Sequence, residues 1–208
     1  SKDLKQIEFS LMESDGKLSF LPVAIGFIFG GLFLVLLDKI VPHMHKGTNE
    51  EEGPKSSLNK PTKLFLAVTL HNVPEGLAVG FAFGGAALTG EIGAYLAALG
   101  LAIGMAIQNF PEGTAIALPM KSATGSSNKA FLYGMGSGIV EPIAAIIGFF
   151  LASKIVFLQP WLLAFAAGAM IFVVAEDLIP DAKLEEHPHL GTWAVMVGFV
   201  IMMILDVT

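Results

Sequence analysis

The sequence predicts an all-α, polytopic membrane protein in which six transmembrane helices form a bundle. The mean hydropathy of its 208 residues is +0.70, 54% of them are hydrophobic and only 14% are charged, unlike soluble globular domains. Six apolar stretches are long enough to cross the membrane's hydrocarbon layer, about 30 Å thick, which takes about 20 helical residues. The 23 glycines fall mostly within these stretches, where small residues let helix backbones approach closely.

The predicted elements follow one another with short connections. A polar stub or loop over residues 1–19, without the pattern of a signal peptide, precedes a membrane domain at 20–208. A polar connector at about 42–63 separates the first span from the second. Cysteine is absent, which excludes disulfides and thiolate metal sites. The spans are predicted at residues 20–41, 62–84, 91–119, 129–152, 160–180 and 189–207.

Lysine predicts the orientation of the chain, since all twelve basic residues are lysines. Most of them lie in or beside the connectors of one membrane face: Lys39, Lys46, Lys55, Lys60, Lys63, Lys121, Lys129 and Lys183. By the positive-inside rule this face is cytoplasmic, although Lys2, Lys5 and Lys17 weigh against it. We therefore expect an integral protein of the bacterial inner membrane with both visible termini outside the cytoplasm. The net charge of −6 argues against nucleic acid as a partner.

One motif occurs twice on neighbouring predicted helices. HNVPEGLAVG at 71–80 returns 37 residues later as QNFPEGTAIA at 108–117. Each copy places a proline in mid-span, which removes a backbone hydrogen bond and predicts a kink. Unpaired backbone at membrane depth is tolerated only where it is buried in protein or lines a watery cavity. Consecutive spans run antiparallel, so the two motifs are predicted to face each other across an interior site.

The polar residues of each motif lie on one helical stripe, because positions three and four apart are neighbours on a helix surface. A further glutamate, also followed by proline, lies in the fourth span. The predicted site residues are His71, Asn72, Glu75, Gln108, Asn109, Glu112 and Glu141.

The charges of this site do not balance. A carboxylate in the bilayer centre costs several kilocalories per mole and is usually paired, yet the sequence has no arginine and no lysine deep in a predicted span. Either the carboxylates bind protons or a cation binds among them. One imidazole, three carboxylates and several amide oxygens suit Zn²⁺, Fe²⁺ or Mn²⁺ better than Ca²⁺ or Cu⁺. So many carboxylates also suit two metal ions with bridging glutamates.

These residues predict a divalent metal transporter and not an enzyme. Asp38, Glu176 and Asp177 lie near the predicted cytoplasmic ends of two spans, where an exit pathway would run. A metal-dependent intramembrane hydrolase is one alternative, but its His-Glu-x-x-His motif is absent. A proton-translocating protein is another, which leaves His71 and the amides without a role. The expected partners are divalent metal ions and the lipid bilayer, with a homodimer left open.

The two motifs resemble those of the ZIP (Zrt/Irt-like) family of divalent metal transporters. The segments LLDKIVPHMHKG, GIVEPIAA and AAGAMIFVVAEDLIPDA are also similar to that family, so the resemblance covers the chain from about residue 20. It implies transport of Zn²⁺, or of Cd²⁺, Fe²⁺ or Mn²⁺, toward the cytoplasm through a binuclear centre. It also implies that the connector histidines His43 and His45 catch or sense metal at the exit, whereas the connector's polarity alone predicts a solvated loop.

The resemblance further implies how the ligands are divided. One ion would be bound by His71, Glu75, Gln108 and Glu112, and the other by Asn72, Glu75, Asn109, Glu112 and Glu141. Some relatives carry aspartate at the position of Asn109, so the second ion would lose one formal charge here. The family typically has eight spans and the chain shows six, so the first two helices are expected to be missing. The segment IEFSLMESDG resembles the end of the second of these two helices.

Overall fold

A computed structural model describes residues 20–44, 51–154, 156–179 and 188–207. The described chain is almost entirely helical. In order, its elements are α1 (Phe20–Ile40), β1 (His43–Met44), β2 (Glu51–Glu52), α2 (Lys60–Thr89), α3 (Ile92–Thr124), α4 (Ser127–Gly138), α5 (Val140–Ala152), a 3₁₀ turn (Val156–Leu158), α6 (Gln159–Val173), a π-helical turn (Val174–Leu178) and α7 (Pro188–Val207).

The predicted membrane helix bundle is confirmed. Five helical segments of the described chain are long and apolar enough to cross a membrane, with α4 and α5 together forming one of them. The predicted sixth span is helical as α7, whose apolar part is shorter, His189–Ile201. Large apolar side chains cover the outside of the helices, as expected where lipid is the solvent.

Local sequence sets the ends of α2. Asn59 caps its first turn, since the Oδ1 atom accepts hydrogen bonds from the backbone N–H (3.0 Å) and the hydroxyl (2.7 Å) of Thr62. Pro61 follows in the first turn, where its missing N–H costs nothing. Gly90 ends the helix with φ 68°, a left-handed conformation that favours glycine. The helix thus begins inside the predicted connector and carries HNVPEG at its centre.

The predicted fourth span is two helices, because the chain breaks at Ile139. The sequence YGMGSG before the break is rich in glycine, which favours helix less than other residues do. Pro142 lacks an N–H, so the carbonyl of Gly138, four residues earlier, has no intrahelical donor. Glu141 therefore lies in the first turn of a new helix, α5.

Glycines bring the helices together in two close pairs, α1 with α6 and α2 with α5. In the first pair, a Cβ atom at Gly30 would overlap the carbonyl oxygen of Phe165, and one at Gly168 would overlap that of Phe27. Leu34, Ala169 and Val173 form the buried core of this pair. Helix α2 also contacts α3, α4 and α6, so it lies at the centre of the bundle.

One part of the polar connector is folded against the bundle and is not solvated. His43 and Met44 pair with Glu52 and Glu51 in a short antiparallel hairpin, and β1 packs against α2. His43 and Met44 are buried as a result. Residues 45–50, which include His45, lie outside the described chain.

The packing of α1 on α6 predicts that Gly168→Val destabilises the protein while Ala167→Val does not. A side chain at Gly168 would collide with the Phe27 backbone, whereas Ala167 is exposed on the outer surface. We expect a loss of about 1–3 kcal/mol in the free energy of unfolding for Gly168→Val. Thermal unfolding of both variants in the same detergent measures it, and equal midpoints would contradict the close contact.

Candidate metal centre

Three helices bring the predicted site residues together. Helix α2 contributes Glu75, α3 contributes Gln108 and Glu112, and α5 contributes Glu141 from its first turn. The Glu75 carboxylate is near enough to those of Glu112 and Glu141 to interact electrostatically with both. The approach of α2 and α3, expected from the repeated motif, thus brings two acids together, and the start of α5 adds the third.

One amide links two of the carboxylates. The Nε2 atom of Gln108 donates to Glu75 Oε1 at 2.5 Å and to Glu112 Oε1 at 2.9 Å. Gln108 and Glu112 are four residues apart on α3, so their contact within the helix follows from helical geometry. The bond to Glu75 crosses to α2. Gln108 thus bridges the two glutamates that are expected to be shared by both metal ions.

Asparagine makes the corresponding contacts on the other side. Asn109 Nδ2 donates to Glu141 Oε2 at 2.6 Å, which joins α3 to α5. Asn72 Nδ2 donates to the backbone carbonyl of Ser137 at 3.0 Å, which joins α2 to the end of α4. Ser137, itself buried, was not predicted from the sequence, because a backbone carbonyl gives no side-chain signal.

Oxygen atoms without a hydrogen-bond donor concentrate in this network. Burying such an atom costs roughly 1–3 kcal/mol, and more when it is charged. Positive charge bound among these oxygens would offset that cost. Among the described side chains, buried oxygens lacking a hydrogen-bond partner belong to Asn72 (Oδ1), Glu75 (Oε2), Asn109 (Oδ1), Glu112 (Oε2) and Glu141 (Oε1).

His71 lies half-buried on α2, one turn before Glu75. Within the described part of the chain, no three histidine, aspartate or glutamate side chains converge closely enough to hold one ion by themselves. Any such ion would therefore also need amide oxygens. Rotating the amides of Gln108 and Asn109 about their last bonds exchanges nitrogen for oxygen and presents neutral oxygen ligands beside the carboxylates.

Three of the predicted exit residues are described, and they lie on other elements: Asp38 on α1, His43 on β1 and Glu176 in the π-helical turn. His43 is fully buried beside α2, with Nε2 at 3.3 Å from Asp38 Oδ1 and Nδ1 donating to Val41 O at 2.8 Å. Glu176 is exposed in the π-helical turn. The side chain of Asp177 and the whole of His45 lie outside the described residues.

The position of Lys63 also differs from the prediction. The sequence predicted this lysine in the polar connector, but it lies near the start of α2 and is 3% exposed. Twelve residues separate it from Glu75, which is about 18 Å along a helix. It therefore does not neutralise the carboxylates of the site.

Residues 62–206 match the family described as ZIP zinc transporter. The chain belongs to this family. A ZIP fold therefore underlies the membrane helix bundle, and the resemblance of the HNVPEG and QNFPEG motifs is confirmed at the level of the family.

Individual ZIP relatives agree over most of the chain. It is 47% identical to the zinc transporter ZIP11 of Homo sapiens over 167 residues, which are 80% of the chain and 48% of ZIP11. It is 38% identical to the zinc transporter GufA of Myxococcus xanthus over 194 residues, 93% of the chain and 74% of GufA. Identity to the zinc transporter ZIPB of Bordetella bronchiseptica is 35% over 175 residues, 84% of the chain and 54% of ZIPB. The chain thus spans about half the length of ZIP11 and ZIPB.

The hydrogen bond from Asn72 to Ser137 predicts that Asn72→Asp destabilises this ZIP chain, although the side chain hardly changes size. An aspartate has no N–H to donate, so a carboxylate oxygen would face the buried carbonyl. We expect a loss of about 1–3 kcal/mol in unfolding free energy in metal-free buffer.

Asn128→Asp is the matched control, since Asn128 is exposed in the first turn of α4. Thermal unfolding with a chelator present compares the two variants. Equal stability of Asn72→Asp and Asn128→Asp would show that the bond to Ser137 contributes little.

Proposed function

We propose that the protein carries divalent metal ions, Zn²⁺ first among them, across the membrane toward the cytoplasm. The site consists of His71, Asn72, Glu75, Gln108, Asn109, Glu112 and Glu141, between α2, α3 and the start of α5. Cd²⁺, Fe²⁺ and Mn²⁺ are further substrates that this ligand set suits. The relatives named above are zinc transporters, which supports zinc as the main substrate.

The observation that carries this proposal is a group of three neighbouring carboxylates, each with one buried oxygen that lacks a hydrogen-bond donor among the described residues. In a low-dielectric interior, their mutual repulsion and desolvation make the site costly unless positive charge enters. The amide groups of Gln108 and Asn109 relieve one oxygen of each carboxylate. The remaining oxygens favour a cation, and a divalent ion neutralises more charge than a proton.

The same ligand set supports two ions that share Glu75 and Glu112. Gln108 lies against both shared glutamates, while Asn109 and Glu141 form a separate pair on the α5 side. A neutral Asn109 reduces the charge of that second subsite. An ion held partly by neutral amides is released more easily than one held by carboxylates alone, and transport requires release as well as binding.

Zinc uptake into sealed proteoliposomes tests the site assignment. We expect Glu75→Ala and Glu112→Ala each to reduce uptake by more than about 10-fold, because each removes a ligand shared by both ions. Glu91→Ala is the control: it removes an exposed carboxylate at the start of α3, outside the network. Unchanged uptake in both site variants would refute the assignment. Proton flux without metal flux would favour the proton-translocating alternative.

The proposed orientation places the connector between α1 and α2 in the cytoplasm. The sequence has no cysteine, so single cysteines report accessibility without background. We expect an impermeant maleimide added outside right-side-out vesicles to label Glu91→Cys but not Lys55→Cys, both positions being exposed. Lys55→Cys should react once the vesicles are permeabilised. The reverse pattern would mean that the chain has the opposite orientation.

A further inference from the structure

Gly76, directly after Glu75, is one of the points at which the backbones of α2 and α5 approach each other closely. A Cβ atom there would overlap the carbonyl oxygen of Glu141 and would lie 2.7 Å from the Glu141 Cα atom and 2.9 Å from the Ala144 Cβ atom. Side chains do not tolerate such distances. The backbone of Glu141, which supplies the third carboxylate, therefore packs directly against Gly76.

We propose that Gly76 is a positioning residue for metal binding, which sets the distance of Glu141 from the ligands on α2 and α3. Successive residues of a helix point about 100° apart, so Glu75 and Gly76 face different neighbours. Glu75 is directed to Gln108 and Gly76 to α5. This inference rests on the proposed function, because it assigns a role within the same site.

The contacts of Glu141 show why its distance matters. Its Oε2 atom is 2.6 Å from Asn109 Nδ2, and its Oε1 atom is buried without a hydrogen-bond partner in the described chain. Moving α5 outward by about 1 Å would lengthen the bond to Asn109 beyond the usual limit for hydrogen bonds. Asn72 is 1% and Glu75 7% exposed, so close packing leaves their side chains little room to follow a displaced carboxylate.

The effect should be confined to one of the two ions. In the proposed division of ligands, Glu141 belongs with Asn72 and Asn109. The other ion has His71 and Gln108, which lie on α2 and α3 and not on α5. Displacing α5 should weaken the subsite that contains Glu141 by roughly 10- to 100-fold, as is common when a residue that orients a ligand is changed. The other subsite should keep its affinity.

Gly84 provides a matched control on the same helix. A Cβ atom at Gly84 would lie 2.7 Å from the Ala152 Cβ atom and 2.9 Å from the Phe149 carbonyl oxygen. Gly84→Ala therefore crowds the same pair of helices as Gly76→Ala. Its position is eight residues further along, about 12 Å from Gly76 on a helix, and away from every predicted ligand.

The experiment measures Zn²⁺ binding to the purified full chain in nanodiscs by equilibrium dialysis, with thermal unfolding in parallel. We expect the parent and Gly84→Ala to bind two ions, and Gly76→Ala to bind one ion at a zinc concentration that saturates the parent. In a Glu141→Ala background, Gly76→Ala should have no additional effect on zinc binding.

Three results would overturn the inference: a parent that binds one ion, equal binding by Gly76→Ala and Gly84→Ala, or equal weakening of both subsites. If Gly76→Ala fails to fold, Glu141→Asp is measured instead. This variant withdraws the carboxylate by one methylene and leaves the contact between α2 and α5 intact. It must show the same selective loss, or the inference is wrong. Failure of the proposed function differs from these outcomes, since the parent would then bind no zinc.

Discussion

The structure depends on the electrostatic interaction of three carboxylates that lie close together within a membrane helix bundle. Glu75, Glu112 and Glu141 come from three helices and approach closely enough to interact. The bilayer offers no water to screen them, so hydrogen bonds must offset part of their cost, and the cation of the proposed function would offset more. Gln108 and Asn109 supply the hydrogen bonds with neutral groups and leave the net negative charge in place.

The helices around the site are arranged so that this concentration of acid stays interior. Small residues on α2 let α5 pack against it at backbone distance, and the break at Ile139 brings Glu141 to a helix start. A helix start carries partial positive charge from its free N–H groups, which favours a carboxylate there. The same break leaves backbone carbonyls near the site, and one of them accepts the Asn72 amide. Proline and glycine at the break thus help to determine the geometry of the site.

The sequence predicts much of this architecture, because both of its main signals are local. Apolar stretches define the spans. The repeated HNVPEG and QNFPEG motifs identify six polar residues, and the glutamate of GIVEPIAA is a seventh. Hydrogen bonds among several of these residues form a network across α2, α3 and α5. The contacts between helices were not predictable. Asn72 donates to a backbone carbonyl, and Gln108 donates to glutamates on two helices. The burial of His43 also escaped prediction, since a polar connector gives no sign that a short hairpin will fold it against α2. Such features depend on where distant segments meet.

The π-helical turn after α6 has a consequence for the surface of the bundle. In a regular α-helix, Glu176 would lie on the same face as Ala169 and Val173, because it is seven and three residues beyond them. That face packs against α1. Both of those residues are buried, yet Glu176 is exposed. In the wider turn, the Ile179 N–H bonds to the Val174 carbonyl. The turn therefore contains one extra residue, which shifts the side chains around the helix axis. Shortening this turn by a single residue would turn the Glu176 carboxylate toward the apolar contact between α1 and α6. The extra residue thus keeps a charge out of the interface between these two helices.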